Sequence, residues 1–181
     1  IDIVGSDCPE WINLGVFLIK SSTRTILVDT GLGPHSTWPT LWPNSEGARK
    51  GPAELMDDMK AKGIGVEEID AVFLTHLHGD HVGWNLTKDA DRWNPTFPKA
   101  QYLVHRSDWE AFTNPKFLDA VRREAAERNY LPLQELGVLQ LIEDNYEVAV
   151  GLTAIHSPGH TPGHMSMLIE SGSDRALIVG D

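Results

Sequence analysis

Seven consecutive residues, Thr75-His-Leu-His-Gly-Asp-His81, carry the densest chemistry in the sequence. Four of their side chains, those of His76, His78, Asp80 and His81, can bind a metal ion. The apolar segment Ala71 to Leu74 precedes them and Val82-Gly83 follows. In extended backbone, residues two apart point the same way, so His76 and His78 can grip one ion. The chain then turns at Gly79, so Asp80 and His81 face a second position. Imidazole and carboxylate donors suit zinc, and also iron, manganese or cobalt. Two such ions about 3.5–4 Å apart can share a water whose pKa falls towards neutrality. A polar loop of merely hydrogen-bonded histidines accounts for one histidine, but poorly for three with an aspartate at this spacing.

A second concentration is Ser157-Pro-Gly-His-Thr-Pro-Gly-His164. Pro158-Gly159 predicts a tight turn that lets the backbone approach a site at strand ends, and His160 follows directly. His164 lies just before a strand, where it either hydrogen-bonds behind a metal ligand or plays a plain structural part. Asp29 either orients loop backbone or a ligand histidine, or closes its own turn. His35, His105 and His156 stay outside the ligand set. His35 reads as a solvated loop residue, His105 as a helix cap or surface residue, and alternation along Ile155-His156-Ser157 points His156 elsewhere. Trp84 follows the metal loop, Trp38 and Trp42 lie in a long loop, and Trp93 and Trp109 sit in later connections. They either wall an apolar substrate pocket or pack in the core. Cys8 has no motif around it.

These residues need strands and turns to hold them. Ile12 to Lys20 and Arg24 to Val28 read as paired strands joined at Ser21-Ser22-Thr23. Asp29-Thr-Gly-Leu-Gly33 breaks that pattern, and Pro34 to Gly51 reads as a long loop with apolar content. A helix is expected over Pro52 to Lys62, with Leu55, Met56 and Met59 on one face and Gly63 ending it. A second helix is expected to start at Asn114 as cap and Pro115 as first residue, with Phe117, Leu118, Val121 and Ala125 as its apolar stripe. Strands are expected at 71–74, 102–104, 138–142, 147–150, 152–155, 165–169 and 176–179, the last one buried. One α/β domain over 1–181 fits, with two strand-rich layers and helices outside.

The sequence resembles the metallo-β-lactamase superfamily over nearly its whole length. Thr75 to His81 matches the His-x-His-x-Asp-His signature, and Val28-Asp-Thr-Gly31 matches an apolar-Asp-Thr-Gly turn. Ser157 to His164 matches the Pro-Gly-His-Thr-x-Gly-His segment, and Ile178-Val-Gly-Asp181 matches the strand carrying a metal-bridging aspartate. The resemblance implies an αββα sandwich, incomplete here, with its C-terminal part missing and its first strands missing or shortened. It implies that His76, His78 and His160 bind the first metal, that Asp80 and His81 bind the second, and that Asp181 bridges both. The family's seventh ligand, a histidine well downstream, has no counterpart here, because no histidine follows His164.

The implied reaction is hydrolysis of a small ester-type substrate, with Asp80 orienting the nucleophile and relaying a proton. The two histidine segments are most similar to the lactonase and organophosphate-hydrolase branches. A lactone, such as an N-acyl-homoserine lactone, is therefore the first expectation. Organophosphate or aryl esters and glyoxalase II-type thioesters are alternatives. A mono-iron persulfide dioxygenase and an inactive metal-binding remnant stand further off. The 181 residues carry 26 acidic and 15 basic side chains, a formal charge of −11, which counts against nucleic acid as a partner. The single cysteine excludes an internal disulfide and is compatible with the cytoplasm. No apolar run reaches the length of a membrane helix. The aromatic loop at Trp38 to Trp42 hints at a homodimer contact.

Overall fold

The computed structural model describes residues 15–34 and 54–181. Cys8, His35, Trp38 and Trp42, residues 12–14 of the expected opening strand and residues 52–53 of the first expected helix lie outside the described residues.

Two sheets carry the site. β1 (Phe17–Lys20) pairs antiparallel with β2 (Thr25–Val28) across the Ser21 to Arg24 turn. β3 (Ala71–Phe73), β6 (Gln101–His105) and β7 (Leu139–Ile142) continue the sheet in parallel, giving the order β1-β2-β3-β6-β7. The second sheet is antiparallel, in the order β11-β10-β9-β8, from β8 (Tyr146–Ala149), β9 (Leu152–His156), β10 (Met165–Ser171) and β11 (Asp174–Ile178). A small hairpin of β4 (Leu86–Asp89) and β5 (Arg92–Pro95) follows the metal loop.

The central strands β2, β3 and β6 of the first sheet are buried on both faces, and the period of two explains how. Ile26, Val28, Ala71, Phe73 and Leu103 face the second sheet and pack with Leu152, Ala154, Met165 and Met167. Leu27, Val72, Tyr102 and Val104 face the other way, onto the helices. α1 (Glu54–Ala61) supplies Leu55, Met56 and Met59, the face expected from the sequence. α2 (Arg106–Thr113) supplies Trp109 and Phe112, α3 (Ala120–Asn129) supplies Ala126, and the short α4 (Pro132–Glu135) supplies Leu133. All of these helical residues join the cluster on the first sheet. Among the described residues the layers therefore run helix, sheet, sheet, which is three of the four layers of the expected sandwich.

Two local expectations are overturned. Asn114 does not begin a helix; it caps the C-terminus of α2, and α3 starts at Ala120 with Asp119 accepting from Arg122 N–H. The stripe expected around Pro115 is broken: Leu118 packs against the core, but Phe117 is 62% and Val121 78% exposed. The strand expected at 176–179 exists in register with β10, yet it is open to solvent, Leu177 being 52% exposed. It is the edge strand of its sheet.

Candidate metal centre

Every expected ligand lies just beyond the C-terminal end of a strand or in the loop that joins two strands. The Thr75 to His81 loop leaves β3, His160 sits between β9 and β10, and Asp181 follows β11. A backbone bond from Met165 N–H to Thr75 O, 2.9 Å, ties the metal loop to the start of β10 in the other sheet. The Asp29 to Gly33 turn then packs on the far end of the metal loop. Gly83 N–H donates to Gly31 O at 2.7 Å, and Thr30 N–H donates to His81 O at 2.7 Å. Gly33 and Gly83 make that approach possible, because a Cβ on Gly33 would lie 1.9 Å from Gly83 O.

Two groups of donor atoms result. His76, His78 and His160 form one, and His76, His81 and Asp181 form the other, each with its atoms within 4.8 Å of one another. His78 Nδ1 lies 2.9 Å from both His76 Nε2 and His160 Nε2. Nitrogens bound to one tetrahedral zinc at about 2.0–2.1 Å would be about 3.3 Å apart, close to that spacing. Asp181 reaches both groups, with Oδ1 3.2 Å from His81 Nε2 and Oδ2 3.6 Å from His160 Nε2. Asp80 stands on the His81 side only, its Oδ2 3.6 Å from His81 Nε2.

Hydrogen bonds behind these donor groups fix which nitrogen is free. Asp29 is buried, and its φ of 60° is one that aspartate tolerates. It accepts from Thr75 N–H at 2.8 Å and from the Thr75 hydroxyl at 2.9 Å. Its Oδ2 lies 2.8 Å from His81 Nδ1, and a carboxylate only accepts, so His81 carries its proton on Nδ1. With its own hydrogen committed to Asp29, the Thr75 oxygen accepts from His76 Nδ1, 3.1 Å away. Both rings thus present a bare Nε2 to the site. His164, buried, takes Asp181 N–H onto its Nε2 at 3.3 Å, while its Nδ1 meets Ser157 O at 3.1 Å and Ser157 Oγ at 2.9 Å.

The electrostatics agree with neutral donors at the first group. Burial, then the neighbouring imidazoles of His81, His78 and His160, push the His76 pKa down to about 2. Burial and His160 also lower His78. His81 moves the other way: burial works against its charge, but the hydrogen bond and charge of Asp29 outweigh it. His81 Nε2 is a buried nitrogen with no hydrogen bond, although two carboxylates stand within 3.6 Å. A buried, unbonded nitrogen facing carboxylates is costly without a cation between them. The donor set and this orphaned atom fit a divalent metal ion.

The remaining candidates divide plainly. His105 does cap α2, its Nδ1 accepting from Ser107 N–H at 3.2 Å, but it is buried and not at the surface. It stacks on His156 at 4.0 Å, and neither ring joins the donor groups. Trp109 packs in the core and Trp93 against it, whereas Trp84 is half-buried beside the metal loop. An apolar cavity of about 410 Å³ borders His78 and Gly79, walled by Leu77, Phe112, Leu118 and Tyr130. Sequence reasoning gave Thr75 and Asp108 no role, since Asp108 meets only distant amides and Thr75 is set by Asp29, 46 residues upstream.

The sequence signature of the metallo-beta-lactamase superfamily matches residues 16–181. An N-acyl homoserine lactonase from a Bacillus species is 30% identical over 186 aligned positions, covering 96% of this chain and 63% of that relative. The chain therefore spans less than two thirds of the relative's length. The crystal structure of AbOPH, a hydrolase of the beta lactamase superfamily, superposes with a TM-score of 0.71 at 24% identity, covering 92% of this chain and 55% of that one. AidC, a dizinc quorum-quenching lactonase solved with its product, superposes with a TM-score of 0.66 at 22% identity, covering 90% and 54%. The two structural likenesses concern the fold, and the signature extends the kinship through the metal loop and Asp181. With its ligand motif, its paired sheets and this match in hand, the chain belongs to the metallo-beta-lactamase superfamily.

Proposed function

We propose that this chain carries the metal-holding residues of a hydrolase that opens a small lactone, of the N-acyl-homoserine class. The observation that carries the reading is the pair of donor groups sharing His76, with Asp181 reaching both. His76, His78 and His160 would hold the first ion, and His81, Asp80 and Asp181 the second, with Asp181 as the bridge. Three nitrogens make the first group the tighter one for zinc. Divalent metal there supplies Lewis acidity and brings water nearer to ionisation at neutral pH.

The side chains of this chain then have separable tasks. Water adds to the ester carbonyl, and the bond from the carbonyl carbon to the ring oxygen breaks. The proton lost by the water goes to the Asp80 carboxylate, which hands it to the departing alkoxide. Asp80 stands beside His81, its Oδ2 3.6 Å from His81 Nε2, and Asp29 keeps His81 in the useful tautomer. The cavity beside His78 takes an apolar arm of the substrate against Leu77, Phe112 and Leu118. The low cysteine content agrees with a reducing, cytoplasmic setting.

The test is proton release from N-hexanoyl-homoserine lactone by zinc-loaded protein, with metal content measured on the same sample. Zinc in stoichiometric amount and ring opening that His160→Ala abolishes would support the reading. One iron per chain with oxygen uptake on a persulfide, and no proton release from lactone, would sink it.

A further inference from the structure

The first donor group is split between the two sheets, so something must hold its two loops at one separation. Asp108, the third residue of α2, is fully buried and touches both. Its Oδ2 accepts from Leu77 N–H at 3.2 Å, and Leu77 stands between His76 and His78. Its Oδ1 accepts from Gly163 N–H at 2.6 Å, in the loop that carries His160 and His164. One carboxylate therefore bridges backbone amides 31 residues upstream and 55 downstream. The contact leaves no room for a side chain at 163, since a Cβ there would lie 2.4 Å from Asp108 N and 2.9 Å from His105 Nδ1. The same amides are buried, so without Asp108 they would lack partners.

We infer that Asp108 is a positioning residue, a carboxylate clamp that sets the distance between the His76/His78 loop and the His160 loop. The inference rests on the metal-centre reading given above. The Met165 to Thr75 backbone bond fixes one side of the junction, and Asp108 fixes the other. A carboxylate suits the task because each oxygen accepts one N–H and neither donates. Asparagine would offer one oxygen and turn an N–H₂ group towards the second amide, parting the loops. Loosened loops spread the three imidazoles and weaken the metal they share, as losing a hydrogen-bonding partner behind a ligand commonly does by about 10–100-fold.

The experiment compares the unaltered protein with Asp108→Asn, Gly163→Ala and, as a control, Glu110→Gln on an exposed position of the same helix. Gly163→Ala parts the same contact without touching the carboxylate, and stands in for Asp108→Asn if that variant does not fold. Zinc binding is measured by competition with a chromophoric chelator. Amide hydrogen exchange is measured on metal-free protein held folded by circular dichroism. The clamp predicts that Asp108→Asn and Gly163→Ala each weaken the tighter zinc step about tenfold or more. It also predicts faster exchange at Leu77 and Gly163 together, with Glu110→Gln unchanged in both. A purely structural role would lower the melting temperature and leave zinc affinity within twofold, and that result overturns the inference. Failure of the unaltered protein to bind zinc would overturn the metal reading and the clamp together, and it shows before any variant is made.

Discussion

Asp29→Asn isolates a single bond behind the site. Asp29 accepts three hydrogens, two from Thr75 and one from His81. The asparagine oxygen can keep both Thr75 bonds, because Thr75 N and Oγ1 lie 2.8 and 3.1 Å from Oδ1. What changes is the atom facing His81 Nδ1, from a carboxylate oxygen to an N–H₂ group. His81 then either leaves a buried donor unmet or moves its proton to Nε2 and loses the bare nitrogen it presents to the metal. A hydrogen bond to a charged group contributes about 1.5–3 kcal/mol, so metal-free stability falls by roughly that much. Zinc affinity at the His81 and Asp181 group falls about 10–100-fold, which is about 1.4–2.7 kcal/mol. The His78 and His160 group changes little, since the Thr75 hydroxyl still orders His76. Chelator competition resolves the two binding steps, and chemical denaturation of metal-free protein reads the stability. Equal weakening of both steps, or an unaltered second step, refutes the tautomer argument.

Other outcomes follow from the same geometry. His160→Ala removes one of three nitrogens and should abolish the tighter zinc step and lactone opening, as read by metal analysis and proton release. Phe112→Ala opens the wall beside His78 and should raise KM for long-chain lactones more than for short ones, with little effect on kcat. Burial and the stacked His156 lower the His105 pKa, so the unfolded chain binds the proton more readily. The His105 contribution to stability is therefore present above about pH 6.5 and is lost as pH falls below it. His105→Asn keeps a helix cap and should flatten that part of the stability profile of metal-free protein. Identical slopes in the two denaturation series would exclude the stacked pair as its source.

The legible parts of this molecule are those whose partners lie close in the chain or whose periodicity is plain. His76, His78, Asp80 and His81 fall within one turn after one strand, so spacing alone announced them. The alternation of Ile26, Leu27 and Val28 marks a strand buried on both faces, and Met59 with Leu55 and Met56 marks the α1 face. The helix expected at Asn114 failed because Pro115 and an apolar stripe look the same whether the stripe meets a core or a cavity wall. Asn114 ends a helix whose start, Arg106-Ser107-Asp108, carries no apolar signal of its own. The exposure of β11 depends on what covers it, which no strand pattern records. Asp108 acts on backbone amides 31 and 55 residues away, and Thr75 orders its neighbour His76 only because Asp29, 46 residues upstream, takes the Thr75 hydrogens; composition points to neither.

X-ray absorption on the protein loaded with one equivalent of zinc tests the centre most directly. His76, His78 and His160 on one ion should give three imidazole scatterers at about 2.0–2.1 Å, and His160→Ala should lose one of them. A zinc ion surrounded only by oxygen, or a protein that retains no zinc after dialysis, would contradict the assignment.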